Sequence, residues 1–178
     1  MMHPCPFERG LRVDRAFWID VFLFLHVLGA ILAVGPTMTY AMWATLGQKA
    51  GPAQRAFAIK GINWVDSHLA TPAFTAQALT GIGLILLEER SFLHTAWLLV
   101  GVGIYVVVMA IAVGVLVPVS KRHMDVADRS AADPGNEALD REYLEITGRI
   151  RRIGSTIGVL TLAIVFFMVV KPTLWSAG

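Results

Sequence analysis

A single histidine, His26, lies inside the long apolar run 23-LFLHVLGAILAVG-35. An ionisable side chain within hydrocarbon is costly, so its presence in such a run points to a functional site. Three roles suit an imidazole there: a hydrogen bond to a neighbouring helix, ligation of haem or another metal group, or proton relay. His26 is therefore the candidate cofactor-binding residue, and these patterns leave any catalytic residue unassigned.

A stripe of small residues shares the helical face of His26. Gly29, Ala30, Ala33 and Thr37 follow it at i+3, i+4, i+7 and i+11. Small residues let a second helix approach closely, and they also leave room for a flat cofactor. The stripe is compatible with both roles, and we expect it to face inward together with the imidazole.

No second axial ligand is evident at the depth of His26. Antiparallel packing puts three other stretches at that level: residues 77–80, 101–105 and 161–165. These stretches contain no histidine, and Gln77 and Tyr105 are the polar side chains expected in the layer. His68 and His94 are each displaced from that level by well over about 10 Å, and Met168 by less. Three alternatives stay open: a five-coordinate haem, a haem with a ligand from another subunit, or no haem at all.

The other histidines carry weaker signals. Asp66, Ser67 and His68 together resemble a helix start with a capping group. His94 follows an acidic pair, but the spacing matches no specific metal-ligand template. His123 lies in a charged tract and is expected to be solvated. The chain also lacks the Gly-rich, zinc-binding and paired-cysteine motifs of soluble enzymes.

Composition indicates a membrane protein. The chain is 56% hydrophobic and 16% charged, with a mean hydropathy of +0.62, whereas a soluble domain carries about a quarter charged residues. The net charge of +2 is too small to indicate a nucleic-acid partner. The lipid bilayer is the expected surrounding.

Four segments have the roughly 20 apolar residues that a membrane helix needs. They cover about residues 17–45, 69–87, 95–119 and 154–170 of a single domain that spans residues 1–178. Strands seldom reach these lengths. The predicted fold is all-α: a four-transmembrane-helix bundle with a cytoplasmic loop-helix between spans three and four. Pro36 and Pro72 are expected to bend their helices.

The segment between spans three and four contains a turn followed by a helix. Asp133-Pro134-Gly135-Asn136 is typical of a turn that ends in a helix N-cap. No proline interrupts the sequence from Asn136 to Lys171, which predicts one long helix entering the fourth span. The Arg149/Arg151/Arg152 cluster is expected at the lipid headgroups, as a topological anchor or as a regulatory lipid site.

The stretches 23-LFLHVLGAILAVG-35, 115-VLVPVSKR-122 and 167-FMVVKP-172 resemble a family of predicted bacterial integral membrane proteins of unknown function. That family is in turn similar to a four-helix group that includes copper-resistance D proteins and the bacterial membrane protoporphyrinogen oxidase. In the oxidase a first-helix histidine ligates haem, and His26 matches that position. The oxidase's second ligand is a lysine, whereas Lys171 here only ends the fourth span.

These patterns predict a small protein of the bacterial inner membrane that binds b-type haem through His26 or docks to a membrane redox complex. The alternative is a non-enzymatic accessory or assembly subunit of a larger membrane complex, with no cofactor of its own. A permease is disfavoured because the spans carry no paired carboxylates. Expected partners are lipid and other membrane subunits or a second copy of the chain.

The distribution of Lys and Arg predicts that both termini lie outside the cytoplasm. Five basic residues fall on one side of the spans: Arg9, Arg12, Arg15, Arg90 and Lys171. The remaining ten fall on the other, which the positive-inside rule assigns to the cytoplasm: Lys49, Arg55, Lys60, Lys121, Arg122, Arg129, Arg141, Arg149, Arg151 and Arg152.

A phosphatase reporter fused after Gly178 should be active, because such a reporter is active only outside the cytoplasm. A cytoplasm-specific reporter that was active at the same position would reverse the predicted topology.

Overall fold

The computed structural model describes residues 6–88 and 95–172, with side chains from Asp14 onward. His94 lies outside these residues. All regular structure in the described part is helical, which confirms the predicted all-α class. The α-helices are α1 (Pro6–Ala50), α2 (Pro52–Val65), α3 (Thr71–Glu88), α4 (Ala96–Ile111), α5 (Val117–Ala132) and α6 (Glu137–Val170).

Four continuous helices are long and apolar enough to cross a membrane: Asp14–Ala50, Pro52–Glu88, Ala96–Ala132 and Glu137–Val170. Three of them have 37 residues, or roughly 55 Å, well beyond the roughly 30 Å of hydrocarbon. The predicted apolar spans are therefore the inner parts of longer helices. Their charged extensions, which include residues 121–132 and 137–152, lie outside the spans.

Two π-helical turns, Asp66–Ala70 and Ala112–Leu116, each precede a proline and keep a helix continuous. Pro72 and Pro118 have no N–H to donate. The residue before each proline donates five residues back instead, from Thr71 to Asp66 and from Val117 to Ala112. This wider turn accommodates the missing N–H donor, so the helix continues beyond the proline. In α1, too, the helix continues through Pro36.

The expectation of a helix start at Asp66–His68 was wrong. These residues lie inside a helical segment that begins at Pro52, after Gly51 with its positive φ of 115°. Proline suits the first position of a helix because its missing N–H needs no partner there. The apolar stretch begins later than the helix, so hydropathy alone placed the start too far along the chain.

The predicted turn and long helix near the C-terminus are confirmed. Gly135 adopts a φ of 97°, and the Asn136 side chain accepts hydrogen bonds from the backbone N–H groups of Ala138 and Leu139. Helix α6 then runs for 34 residues to a left-handed Lys171. The segment before the turn is also helical, so spans three and four are joined by a helical hairpin and not by a loop followed by a helix.

Contacts divide the described residues into two compact units, residues 6–38 with 65–88 and residues 39–64 with 95–172. In the first unit α1 and α3 run antiparallel, with Arg15 Nε donating to the Leu87 carbonyl at 2.7 Å. In the second unit the buried apolar cluster lies in the helical extensions and comprises Ala56, Ile59, Val126, Ala127, Tyr143 and Ile146. Many apolar side chains of the spans are exposed instead, as lipid-facing positions require.

Replacing Asn136 with Ala should lower the free energy of unfolding by about 1 kcal/mol, because two N–H groups of the first turn of α6 lose their acceptor. Asn136→Ser is the matched control, since its hydroxyl can accept the same bonds without placing a second carboxylate beside Asp133, to which the Asn136 amide donates at 2.8 Å. Thermal unfolding in detergent micelles, followed by circular dichroism, measures the difference. Equal melting temperatures for the Ala and Ser variants would contradict a role for the cap.

Candidate functional site

His26 is half-buried and faces α3 within the first unit. Its Nδ1 lies 2.9 Å from the Thr80 hydroxyl oxygen, and its Nε2 lies 3.3 Å from the Gln77 side-chain nitrogen. Both partners fall within the stretch expected at the depth of the histidine. Tyr105, also expected in that layer, belongs to α4 in the other unit.

The hydrogen-bond network assigns the proton on the His26 ring. The Thr80 hydroxyl donates to the Ala76 carbonyl at 2.8 Å, so its oxygen is free to accept from Nδ1–H. With the Gln77 amide oriented so that its nitrogen faces the ring, that nitrogen donates and Nε2 accepts with its lone pair. His26 is thus a neutral imidazole with both ring nitrogens paired to one neighbouring helix.

Glycines on both helices make this close approach possible. A Cβ on Gly81 would lie 3.2 Å from His26 Cε1, and one on Gly29 would lie 2.7 Å from Gln77 Oε1. A Cβ on Gly83 would overlap the Phe22 ring. Side chains of each helix therefore fill notches that glycines leave in the other, as in tightly packed membrane helices.

The small-residue stripe beside His26 is lined by protein. Gly29 and Ala33 are buried, with Ala33 0% exposed, and the Gln77 side chain occupies the notch at Gly29. Ala30 and Thr37 are half-buried, and the Thr37 hydroxyl donates to the Val34 carbonyl at 2.8 Å. The part of the stripe nearest the imidazole therefore packs against α3.

These residues fit a haem in one respect and fail in another. An Nδ1–H bonded to an acceptor is the arrangement that orients a ligating histidine and leaves Nε2 for a metal. The Gln77 side chain, however, lies on the Nε2 side, and Gln77 Oε1 is buried without a hydrogen-bond partner in the described residues. As packed, the site holds Gln77 where a macrocycle would have to bind.

Other candidate ligands are engaged elsewhere. The Met168 methyl group packs at Gly101, where an added Cβ would lie 2.7 Å away. His68 lies on the π-helical turn, with Nδ1 3.0 Å from the Ser67 hydroxyl. In residues 6–88 and 95–172, no three His, Cys, Asp or Glu side chains gather in a way that could hold a metal ion.

The second unit contains a buried polar cluster that the sequence did not predict. Arg55 is 5% exposed, and its Nη2 donates to the Ser130 hydroxyl and, at 2.6 Å, to Asp140 Oδ1. Ser130 also donates to Asp140 Oδ1 at 2.9 Å. The guanidinium lies 4.2 Å from the centre of the Tyr143 ring. The cluster ties α2 to both arms of the hairpin.

His123 belongs to this cluster, so the expectation that it is solvated was wrong. It is 4% exposed, stacks on Tyr143 with centroids 4.8 Å apart, and its Nε2 lies 2.9 Å from the Thr147 hydroxyl. Its charged tract is one arm of a helical hairpin, and every third or fourth residue of that arm faces the other. In such a hairpin, residues that are about equally far in sequence from the turn at 133–136 lie opposite each other. The predicted turn could therefore have indicated that His123 is covered by the second arm.

The cluster shifts the pKa values of its members, which lie outside the apolar spans. Burial, assisted by the positive charge of Arg55, lowers the pKa of His123 to about 4. Hydrogen bonds from Arg55 and Ser130 lower the pKa of the Asp140 carboxyl. Both shifts favour a neutral His123 beside a charged Arg55–Asp140 pair.

The folded protein should lose stability as the pH falls from 6.5 towards 4. In that window the unfolded chain binds a proton at His123 that the folded chain excludes, so stability decreases with acid. The loss from neutral pH to pH 4 should be on the order of 3 kcal/mol. His123→Gln retains a group that can bond Thr147 and does not titrate. Melting temperatures of the two proteins across this range test the assignment; parallel profiles would contradict it.

The comparison with known proteins supports the membrane assignment. A family model described as predicted integral membrane protein (DUF2269) matches residues 20–172. No curated protein and no solved structure matches the chain. The matched range takes in His26, the three glycine notches and the whole Arg55 cluster. Four candidate spans and a match over most of its length lead to one conclusion: the chain belongs to this family of predicted integral membrane proteins.

Proposed function

We propose that this protein is a non-enzymatic accessory component of a membrane complex, in which His26 joins two helices and binds no cofactor. The observation that carries the proposal is the pairing of both ring nitrogens by α3, through Thr80 and Gln77. A ligating histidine needs one nitrogen free for the metal. In this protein the second nitrogen, Nε2, is paired with the Gln77 side chain instead.

The energetics of the site support a packing role. A neutral imidazole in hydrocarbon costs several kcal/mol if it is unsatisfied, and two interhelical hydrogen bonds remove most of that cost. Each such bond contributes only about 0.6 to 1 kcal/mol of net stability in a membrane. The notches at Gly29 and Gly81 add close van der Waals contact. Together these features hold α1 and α3 in one register.

The second candidate function is binding of b-type haem, as the resemblance to the copper-resistance D and protoporphyrinogen oxidase group implies. The observation in its favour is the Thr80 hydroxyl, which leaves the His26 lone pair on Nε2. Haem would supply redox chemistry. The protein would contribute Nε2 as a ligand and Thr80 to orient the ring, and Gln77 would have to swing out of the notch.

Both proposals share one setting: a bacterial inner membrane with both termini outside. The Lys/Arg distribution supports that orientation. The accessory role further proposes contact with other membrane subunits or with a second copy of the chain. Copurification of a larger complex from native membranes would support that partner class, and a monodisperse monomer in mild detergent would count against it.

An absorption spectrum separates the two functions. Protein expressed with ample haem should show no Soret band in the wild type, in His26→Ala or in Gln77→Ala. The haem alternative requires a band in the wild type that disappears in His26→Ala and persists or grows in Gln77→Ala, where Nε2 is freed. A wild-type Soret band that His26→Ala abolishes would overturn the accessory proposal.

The packing role makes an independent prediction about stability. His26→Ala should remain inserted in the membrane but lose on the order of 1–2 kcal/mol, because Thr80 and Gln77 lose their shared partner. Leu25→Ala, at a 44% exposed neighbouring position, is the control. Thermal unfolding in detergent measures both variants. Equal, small losses would show that His26 does not join the helices.

A further inference from the structure

A row of polar side chains marks the end of the charged part of α6. Arg149, Arg152 and Ser155 follow one another at intervals of three residues, and all three are exposed. From residue 153 to residue 170 the helix carries no charged side chain. The row therefore lies where the helix passes from water into its apolar span.

In the part of the chain that the structure describes, the two arginines of this row have no acidic partner, in contrast to several other cations of the same unit. Arg55 pairs with Asp140, Lys60 with Asp128, Arg122 with Glu142 and Arg129 with Asp125. Within the described residues Arg149 and Arg152 form no ion pair, although Glu145 lies one turn before Arg149. Arg152 Nε donates only to the Gly148 carbonyl of its own helix, at 3.4 Å.

The surroundings of the row leave space for a ligand. Side chains three residues apart on a helix lie roughly 5–6 Å from each other, which suits two guanidinium groups that share one phosphate. Gly148 and Gly154 have open space where a Cβ would be. The exposed Ser155 side chain adds a hydroxyl donor on the same side.

The same face of α6 continues into the span as an exposed apolar row. Val159, Leu162 and Phe166 follow Arg152 and Ser155 at helical spacing and are 66%, 58% and 53% exposed. A phosphate bound by the arginines would thus lie at the end of this apolar row, and the row itself suits an acyl chain. A free phosphate or an acidic peptide would leave this strip unused.

We infer that the Arg149–Arg152–Ser155 row and the Val159–Leu162–Phe166 strip together bind one anionic phospholipid. The arginines and the serine hydroxyl hold the phosphate, and an acyl chain lies along the strip. An anionic headgroup is favoured over phosphatidylcholine, because the choline ammonium would lie beside two unpaired guanidinium groups. This site is distinct from His26 and does not depend on the role of that residue.

Native mass spectrometry of the whole protein in non-ionic detergent tests the site, with phosphatidylglycerol and phosphatidylcholine as probes. The wild type should retain phosphatidylglycerol preferentially. Each of Arg149→Gln and Arg152→Gln should weaken retention about fivefold, and the double variant by about twentyfold. Arg141→Gln is the matched control, because Arg141 is an exposed arginine without an ion pair on the same helix, away from the apolar boundary.

Three outcomes would overturn the inference. The double variant could retain phosphatidylglycerol as well as the wild type does, or Arg141→Gln could weaken retention equally, which would reduce the effect to net charge. Alternatively, excess inorganic phosphate could displace the lipid, which would mean that the row selects phosphate alone. Melting temperatures in phosphatidylcholine should be the same for all variants, which separates loss of binding from loss of fold.

Discussion

Hydrocarbon offers no hydrogen-bond partners, and this constraint shapes every polar group inside the spans of the protein. The backbone meets it by remaining helical even where proline removes a donor, since the π-helical turns before Pro72 and Pro118 move the preceding hydrogen bond back by one residue. His26 meets it with two bonds to α3. Glycines on both helices bring the partners within reach.

The two polar sites, at His26 and at Arg55, differ in whether they bury a charge. At His26 two neutral side chains satisfy a neutral ring, so no charge is buried. At Arg55 a full positive charge is buried, and Asp140, Ser130 and the Tyr143 ring compensate for it. The Asp140 side chain remains 40% exposed, so the pair is only partly desolvated, but loss of Asp140 would leave the buried Arg55 charge uncompensated, which is costly. The Arg55 cluster therefore specifies which faces of α2, α5 and α6 meet.

The cationic side chains fall into two groups, those that pair with acids and those that do not. Three of those that pair with acids, Arg55, Lys60 and Arg122, join different helices in the extensions beyond the spans. Arg149 and Arg152, at the edge of the apolar tract, remain available to the surroundings. Pairing near the turn gives the hairpin a defined structure, whereas the exposed arginines at the boundary form no ion pair within the part of the chain that the structure describes.

Local sequence alone determined much of this protein. Apolar length predicted four membrane helices, and the turn residues before Asn136 predicted where α6 begins, because both depend on neighbouring residues and on bilayer thickness. Antiparallel depth predicted that Gln77 and Thr80 lie level with His26. Only the tertiary structure decided that Gln77 fills the notch at Gly29, that His123 is buried, and that Arg55 finds Asp140. These pairings join residues 24 to 85 positions apart, and they depend on which face each helix turns towards its neighbour, which neither hydropathy nor spacing specifies.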